Sequence, residues 1–212
     1  MMNVSEYASD VGKEVKDILS LCKKLSISVE SVDDMLSDDD IIMLSRSHYG
    51  FVKRLLEIEI PELADGTIML YSVARDAGSR TKIAVYTEYT NVDPLGAVIG
   101  EKGRRIANVL KELNGEKIDV ILYDEDPVKF IANALSPAKD VKVTIKNSDK
   151  KEALAVANDA NLSLAIGRKG QNVKLASRLT HYRIEVKSES QLAETPMTLE
   201  EPVVEPVETI EE

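Results

Sequence analysis

The sequence is poor in aromatic rings: no tryptophan, two phenylalanines and seven tyrosines, 4% of 212 residues. A single cysteine, Cys22, excludes an internal disulfide framework and a thiolate-rich metal cluster, and a reducing cytoplasm is the expected setting. Two histidines, His48 and His181, stand far apart, with no nucleophile motif beside either and no metal-ligand spacing. Gly170 is followed by Gln171 rather than Lys-Ser/Thr, so a Walker-type phosphate loop is also missing. No enzyme activity, cofactor or metal site is expected. The consecutive carboxylates Asp38, Asp39 and Asp40 point in different directions and read as a solvated cap or turn. No stretch approaches the roughly 18 apolar residues of a membrane helix, and the Met-Met-Asn-Val-Ser-Glu start lacks the pattern of a secretion signal.

Positive charge is scarce too, with 27 basic against 37 acidic residues and a net charge of −10, but the shortage is uneven. Residues 1–45 carry ten acids and four bases, and residues 188–212 carry eight glutamates and no base. The middle, residues 46–187, is left mildly basic at about +4. Only local potential steers a polyanion, so the acidic total does not exclude one as ligand.

What is present is a repeat. Asn161 to Leu179 contains Ile166-Gly-Arg-Lys-Gly170 followed by a helical pattern, and Leu95 to Leu110 contains Ile99-Gly-Glu-Lys-Gly103 in the same setting. A fixed offset of 67 pairs Ile99 with Ile166, Gly100 with Gly167, Lys102 with Lys169, Gly103 with Gly170 and Ile106 with Val173. Two glycines flanking two variable residues between helices let one backbone approach another closely, at a helix start that favours anions. A single such loop is more often a plain helix–helix connection; its duplication marks a repeated unit and favours the functional reading. This is the physics of the GXXG loop of KH domains, which clamps the backbone of single-stranded nucleic acid.

The elements around each loop repeat as well. The first half reads as a helix over His48–Ile58, strands over Thr67–Ala74 and Arg80–Thr87, helix, GXXG, helix, and a strand over Lys117–Tyr123. The second reads as a helix opened by Asp126-Pro127, strands from Val141 and Glu152, helix, GXXG, helix, and a last strand through Tyr182, Ile184 and Val186. The expected fold is α+β: two tandem bacterial-type (type II) KH domains, each a three-stranded sheet with helices packed on one face. The expected divisions are a helical N-terminal segment (1–44), a first KH domain (45–124), a second (125–187) and a disordered acidic tail (188–212). Residues 1–10 read as loose, 11–25 as one amphipathic helix, and Ile41–Leu44 as strand-like. The short join at Asp124-Glu-Asp126 predicts that the two modules pack together.

From Ser45 onward the sequence resembles the tandem KH region of the bacterial transcription factor family NusA. The resemblance rests on Ser45-Arg-Ser-His48, Ala77-Gly-Ser-Arg-Thr-Lys-Ile-Ala-Val85, Asn91-Val-Asp-Pro94, Gly115-Glu-Lys-Ile-Asp119, Leu135-Ser-Pro-Ala138 and Leu162-Ser-Leu-Ala-Ile-Gly-Arg-Lys-Gly-Gln-Asn-Val173. It implies single-stranded RNA, the nascent transcript, as partner in elongation, termination or antitermination. The alternatives are a KH protein acting on ribosomal RNA or ribosome assembly, and a protein-interaction scaffold without RNA. Family members carry a polymerase-binding domain and an OB barrel ahead of the KH pair, for which residues 1–40 are too few. Polymerase contact through that domain is therefore not expected, and Asp40–Arg46 reads as a remnant strand of the barrel.

The candidate RNA-binding residues are Gly100, Lys102, Gly103, Arg104 and Arg105 in the first loop, and Gly167, Arg168, Lys169, Gly170, Gln171, Asn172 and Lys174 in the second. Arg80 and Lys82, alternating on a strand, extend the basic surface; ordinary surface residues give the same pattern. Glu101 weakens the first loop's field, so the second is expected to bind more tightly. Ile99, Ile106, Ile166 and Val173 line an apolar groove or simply pack in the cores. The scarce aromatic residues argue against RRM- or OB-type stacking, and Tyr123 and Tyr182 read as core or edge residues.

Overall fold

A computed structural model describes residues 2–194; residues 195–212, most of the expected acidic tail, lie outside the described residues. The helical N-terminal segment forms a small unit of its own, in which the amphipathic helix expected over 11–25 runs from Val15 to Lys24. β1 (Met2–Asn3) pairs antiparallel with β2 (Met35–Leu36), and α1 (Val4–Asp10), α2 (Val15–Lys24) and α3 (Asp38–Ser47) surround a core of their own. Val4, Tyr7, Ala8, Ile18, Cys22, Ile27, Leu36 and Leu44 are buried there. Residues 1–10 are thus not loose: Asn3 and Glu6 form a reciprocal capping box, and Val4, Tyr7 and Ala8 recur at helical spacing on the buried side. Ile41–Leu44 is helix rather than a remnant strand. Ser37 accepts from the Asp40 N–H while Asp40 reaches back to the Ser37 N–H, and three aspartates in the first turn complement the helix dipole.

The first module comprises α4 (Tyr49–Glu59), the short α5 (Pro61–Ala64), β3 (Met69–Asp76), β4 (Arg80–Tyr86), α6 (Pro94–Ile99), α7 (Arg104–Glu112) and β5 (Lys117–Leu122). The second repeats the plan with α8 (Pro127–Ala134), β6 (Lys142–Asn147), β7 (Glu152–Ala157), α9 (Asp159–Ile166), α10 (Gln171–Thr180) and β8 (Arg183–Ser188). Each sheet has three strands, ordered β3-β4-β5 and β6-β7-β8. In both, the first pair is antiparallel and the second parallel. Caps fix the helix starts: Asp93 accepts from Leu95 N–H ahead of Pro94, and Asp126 from Val128 N–H ahead of Pro127. Residues 188–194, assigned by the sequence to the tail, instead finish β8 and form α11 (Glu189–Glu194).

The first sheet carries its own helices on one face, as expected, and its other face is covered by the second module. Ile83 and Val85 of β4 face their own helices, in a core with Val52, Leu56, Val98 and Val109. Ala74, Ala84 and Ile121 face the other way, into a core shared with Phe130, Ile131, Leu175 and Leu179 of α8 and α10. Ala153, Ala155 and Ile184 of the second sheet close that core from beyond. The alanines let α10 lie close to both sheets, and each fully buried leucine on it contributes about 1.5–3 kcal/mol. The two modules are therefore packed as one body, as the short join implied.

Candidate nucleic-acid interface

The two loops have the same backbone. Gly100, Lys102 and Gly103 have φ/ψ of 75/169°, 51/27° and 74/15°; Gly167, Lys169 and Gly170 have 74/171°, 52/28° and 74/15°. The first glycine of each is required twice over. Its φ is left-handed, and a Cβ on Gly100 would lie 2.7 Å from Arg105 Cγ, or on Gly167 2.6 Å from Asn172 Cβ. Each loop is closed by an N–H bond from the second glycine to the first, Gly103 to Gly100 and Gly170 to Gly167. Neither α7 nor α10 starts with a side-chain cap. Both helix starts thus remain open to an anion.

The exposed cations separate from those with structural duties. Lys102 and Arg104 stand exposed at the first loop, beside Glu101. Arg168, Lys169 and Lys174 are exposed at the second, and none of these five is ion-paired among the described residues. Arg105 is different: it donates to both carboxylate oxygens of Glu62 and to Ala97 O. Asn172, 67 positions later, is 2% exposed and donates to Leu135 O, Leu164 O and Ala165 O. The two occupy equivalent posts and tie down the carbonyl end of the preceding helix. Gln171 is half-buried and spans the modules, donating to Asp76 Oδ2 and Ser79 Oγ, each at 2.7 Å.

Lys82 does not extend the basic surface. It is wholly buried, with Nζ 3.0 Å from Asp119 Oδ2 and 2.7 Å from Ser136 O, pegging β4 to the second module. Burial pulls its ammonium below the usual lysine range, against the pull of Asp119. Arg80 grips the same carboxylate with Nε and Nη2. Burial pushes the Asp119 carboxyl up, but the bonds from Arg80 and Lys82 outweigh it and hold it below the usual carboxylate range. Strand alternation failed here because β4 is buried on both faces. Of the apolar four, Ile106 and Val173 pack against the two cores, Ile166 is half-buried, and Ile99 is 41% exposed. Tyr123 stacks on Tyr71 with ring centroids 3.8 Å apart, and Tyr182 packs against the shared core.

A basic side chain that sequence reasoning passed over is Arg178. It lies on the same face of α10 as Lys174, four residues on, and the i,i+4 spacing was the available signal. With Arg168, Lys169, Gln171, Lys174 and the β3–β4 turn it lines a cleft of about 500 Å³ between the modules. Among the described residues no group of three or more His, Cys, Asp and Glu is placed to hold a metal ion. None of the described helices is long and apolar enough to cross a membrane.

Comparison with known families matches residues 46–123 to the NusA-like first KH domain and residues 127–194 to the NusA-like second KH domain. Similar curated proteins, each named transcription termination/antitermination protein NusA, come from several bacteria. The one from Halalkalibacterium halodurans is 52% identical over 153 residues, covering 72% of this chain and 40% of that protein. The Bacillus subtilis protein is 49% identical over 163 residues (76% and 44%), and that of Thermus thermophilus 43% over 162 (76% and 41%). The chain thus spans about two-fifths of the length of these relatives, and residues 2–45 lie outside both domain matches.

Proposed function

The chain belongs to the NusA-like KH family through both of its modules, and from that premise we propose that it is a non-catalytic binder of single-stranded RNA acting on nascent transcripts in elongation, termination or antitermination. The observation that carries the proposal is the pair of loops with one backbone geometry, each placing an uncapped helix start beside unpaired lysine and arginine. A phosphodiester backbone fits such a loop because the glycines admit it closely, while the helix N–H groups and the cations meet its charge. The relatives' name supplies the process, and a cytoplasmic site of action belongs to the same proposal.

Crosslinking in cells followed by sequencing of the bound RNA tests it. Enrichment of nascent messenger transcripts is expected. Enrichment of ribosomal RNA alone would move the protein to ribosome assembly, and nothing above background would make the KH pair a scaffold; either result overturns the proposal.

A further inference from the structure

One end of the first sheet has a chemistry opposite to that of the loops. β4 runs from Arg80 to Tyr86, antiparallel to β3 and parallel to β5, so Tyr71, Tyr86 and Tyr123 gather at the end away from the β3–β4 turn. The register shift between Leu70 and Ser72 leaves Tyr71 without a partner in the ladder. Its ring stacks on Tyr123, with centroids 3.8 Å apart and planes 18° from parallel. Tyr86 meets the pair edge-on at 6.4 and 5.5 Å, and Phe130 of α8 does the same at 5.6 and 5.0 Å. Four of the nine tyrosine and phenylalanine rings of the chain are thus in one cluster. Only Phe130 is buried; Tyr86 and Tyr123 are half-buried, and Tyr71 is 46% exposed. Cations lie over Tyr49 and Phe51, but among the described residues none lies over these three tyrosines.

The chain around the rings is acidic. Residues 86–93 and 122–126 hold Glu88, Asp93, Asp124, Glu125 and Asp126, and no base. Asp93 and Asp126 cap α6 and α8, and Asp124 accepts from the Asp126 N–H. Glu88 and Glu125 are exposed and form no ion pair among the described residues. Burial foremost, then Tyr71 and the charge of Glu125, raise the Tyr123 hydroxyl above its ordinary value, so the field of Glu125 reaches the rings. Tyr86 also lines a groove of about 310 Å³ with Ile68, Met69 and Leu70, an apolar floor next to the cluster. Lys53 at the edge of this groove is already paired with Glu57 at 3.8 Å. A cluster serving only to join the modules has no use for a bare tyrosine beside unpaired carboxylates.

We propose that this end of the first sheet is a docking surface for a basic segment of another protein, with an arginine stacked on Tyr71, its charge met by Glu88 and Glu125, and an apolar neighbour in the Tyr86 groove. A guanidinium suits the site because it is planar and weakly hydrated: its face stacks on a ring while its edge meets carboxylates. Tyrosine supplies a large, rigid surface and is over-represented among the residues that dominate protein interfaces. Nucleic acid is the disfavoured occupant, because its phosphates would meet unpaired carboxylates and no free cation. The surface stands independently of the RNA reading. The seven residues of β4 set it roughly 20 Å from the β3–β4 turn that borders the second loop, so one ligand does not block the other.

The test is fluorescence anisotropy of a labelled peptide of three Arg-Leu-Gly repeats, and of the same peptide with lysine for arginine, titrated with the full chain at about 0.15 M salt. The arginine peptide should bind about threefold or more tightly than the lysine one, the order expected of a guanidinium stacked on an exposed ring. Tyr71→Leu keeps apolar cover over Tyr123 and should abolish that preference. Glu88→Gln with Glu125→Gln should weaken both peptides. Asp33→Asn with Asp39→Asn, which removes the same charge from the N-terminal unit, should weaken neither. A Tyr71→Leu variant that folds like the parent by circular dichroism and keeps the arginine preference overturns the proposal. Equal weakening by the two charge variants does so too, and that comparison leaves the rings untouched, so it decides the matter even if Tyr71→Leu unfolds. If Tyr71→Leu weakens binding of an oligoadenylate twenty-mer and not of the peptides, the rings belong to RNA and the proposal falls.

Discussion

Asn172 lies in the most conspicuous motif of the sequence, yet its amide is turned inward, so Asn172→Ala should damage the fold and not the RNA contact. Nδ2 donates to Leu135 O and Ala165 O at 3.0 Å and to Leu164 O at 3.2 Å. Truncation leaves at least two buried carbonyls without that donor, at about 1–3 kcal/mol each. Oδ1 has no partner and is itself buried, so its removal returns part of that cost. The net loss is about 2–4 kcal/mol, which for a chain of this size lowers Tm by roughly 5–15 °C. Gly167 packs directly on Asn172 Cβ, which alanine keeps, so the loop retains its support. Thermal unfolding followed by circular dichroism measures the first effect. RNA affinity, measured well below the transition, should stay within about twofold of the parent. A variant with unchanged Tm and abolished RNA binding would refute the reasoning and put the Asn172 amide on the ligand.

The other consequences follow from the same geometry. Arg168→Ala with Lys169→Ala should cost more RNA affinity than Lys102→Ala with Arg104→Ala, because Glu101 already offsets part of the first loop's field. The salt slope reports the number of phosphates met, and an inverted ranking would place the main clamp in the first module. Lys82→Met should destabilise by about 1–3 kcal/mol by stripping a donor from Ser136 O and Asp119, and limited proteolysis at residues 124–126 should quicken as the modules loosen. Glu116 is wholly buried among Arg75, Thr81 and the Gly78 N–H. Burial pushes its carboxyl up, but these bonds outweigh it and hold the group below its ordinary value of 4.5. Its stabilisation is therefore full above that value and lost as pH falls through the depressed folded one. Glu116→Gln should lower stability at neutral pH and flatten that acid limb in urea titrations at stepped pH.

Local signals make much of the fold legible. Both KH modules read in the right element order because their caps, prolines and glycines sit where the backbone needs them. Glu152–Ala157 and the Asp126-Pro127 helix start follow from alternation and capping alone. What fails is whatever depends on a second layer. Lys82 alternates with apolar residues as an exposed strand residue does, and only the second module covering β4 turns it inward. Arg105 and Asn172 are polar residues in a polar loop. Their shared post becomes visible only when the offset of 67 is followed past the glycines to the carbonyls each one ties down. Of the N-terminal unit only the amphipathic helix within 11–25 is legible in the sequence, because the rest of its core is assembled from short pieces. Val4, Tyr7 and Ala8 make one helical turn, and Ile41–Leu44 is a four-residue apolar run that periodicity cannot assign. The capping pair Ser37 and Asp40 is the stronger signal, with aspartate where glutamate is usual.

The placement of α10 joins recognition to architecture. One side of the helix, Leu175, Ala176 and Leu179, is buried between the two sheets, while Lys174 and Arg178 on the other face the cleft. Its start is the second GXXG loop, and Gln171 in its first turn bonds to the β3–β4 turn of the first module. A ligand gripping Arg168 and Lys169 therefore pulls on a helix whose position is set by both modules at once. The two loops cannot move apart without opening the shared core, where each leucine truncated to alanine costs about 2–5 kcal/mol. Their separation is consequently a property of the fold and not of a linker. A strand that engages both meets a preorganised surface, and the entropy of aligning two binding modules has already been met in folding.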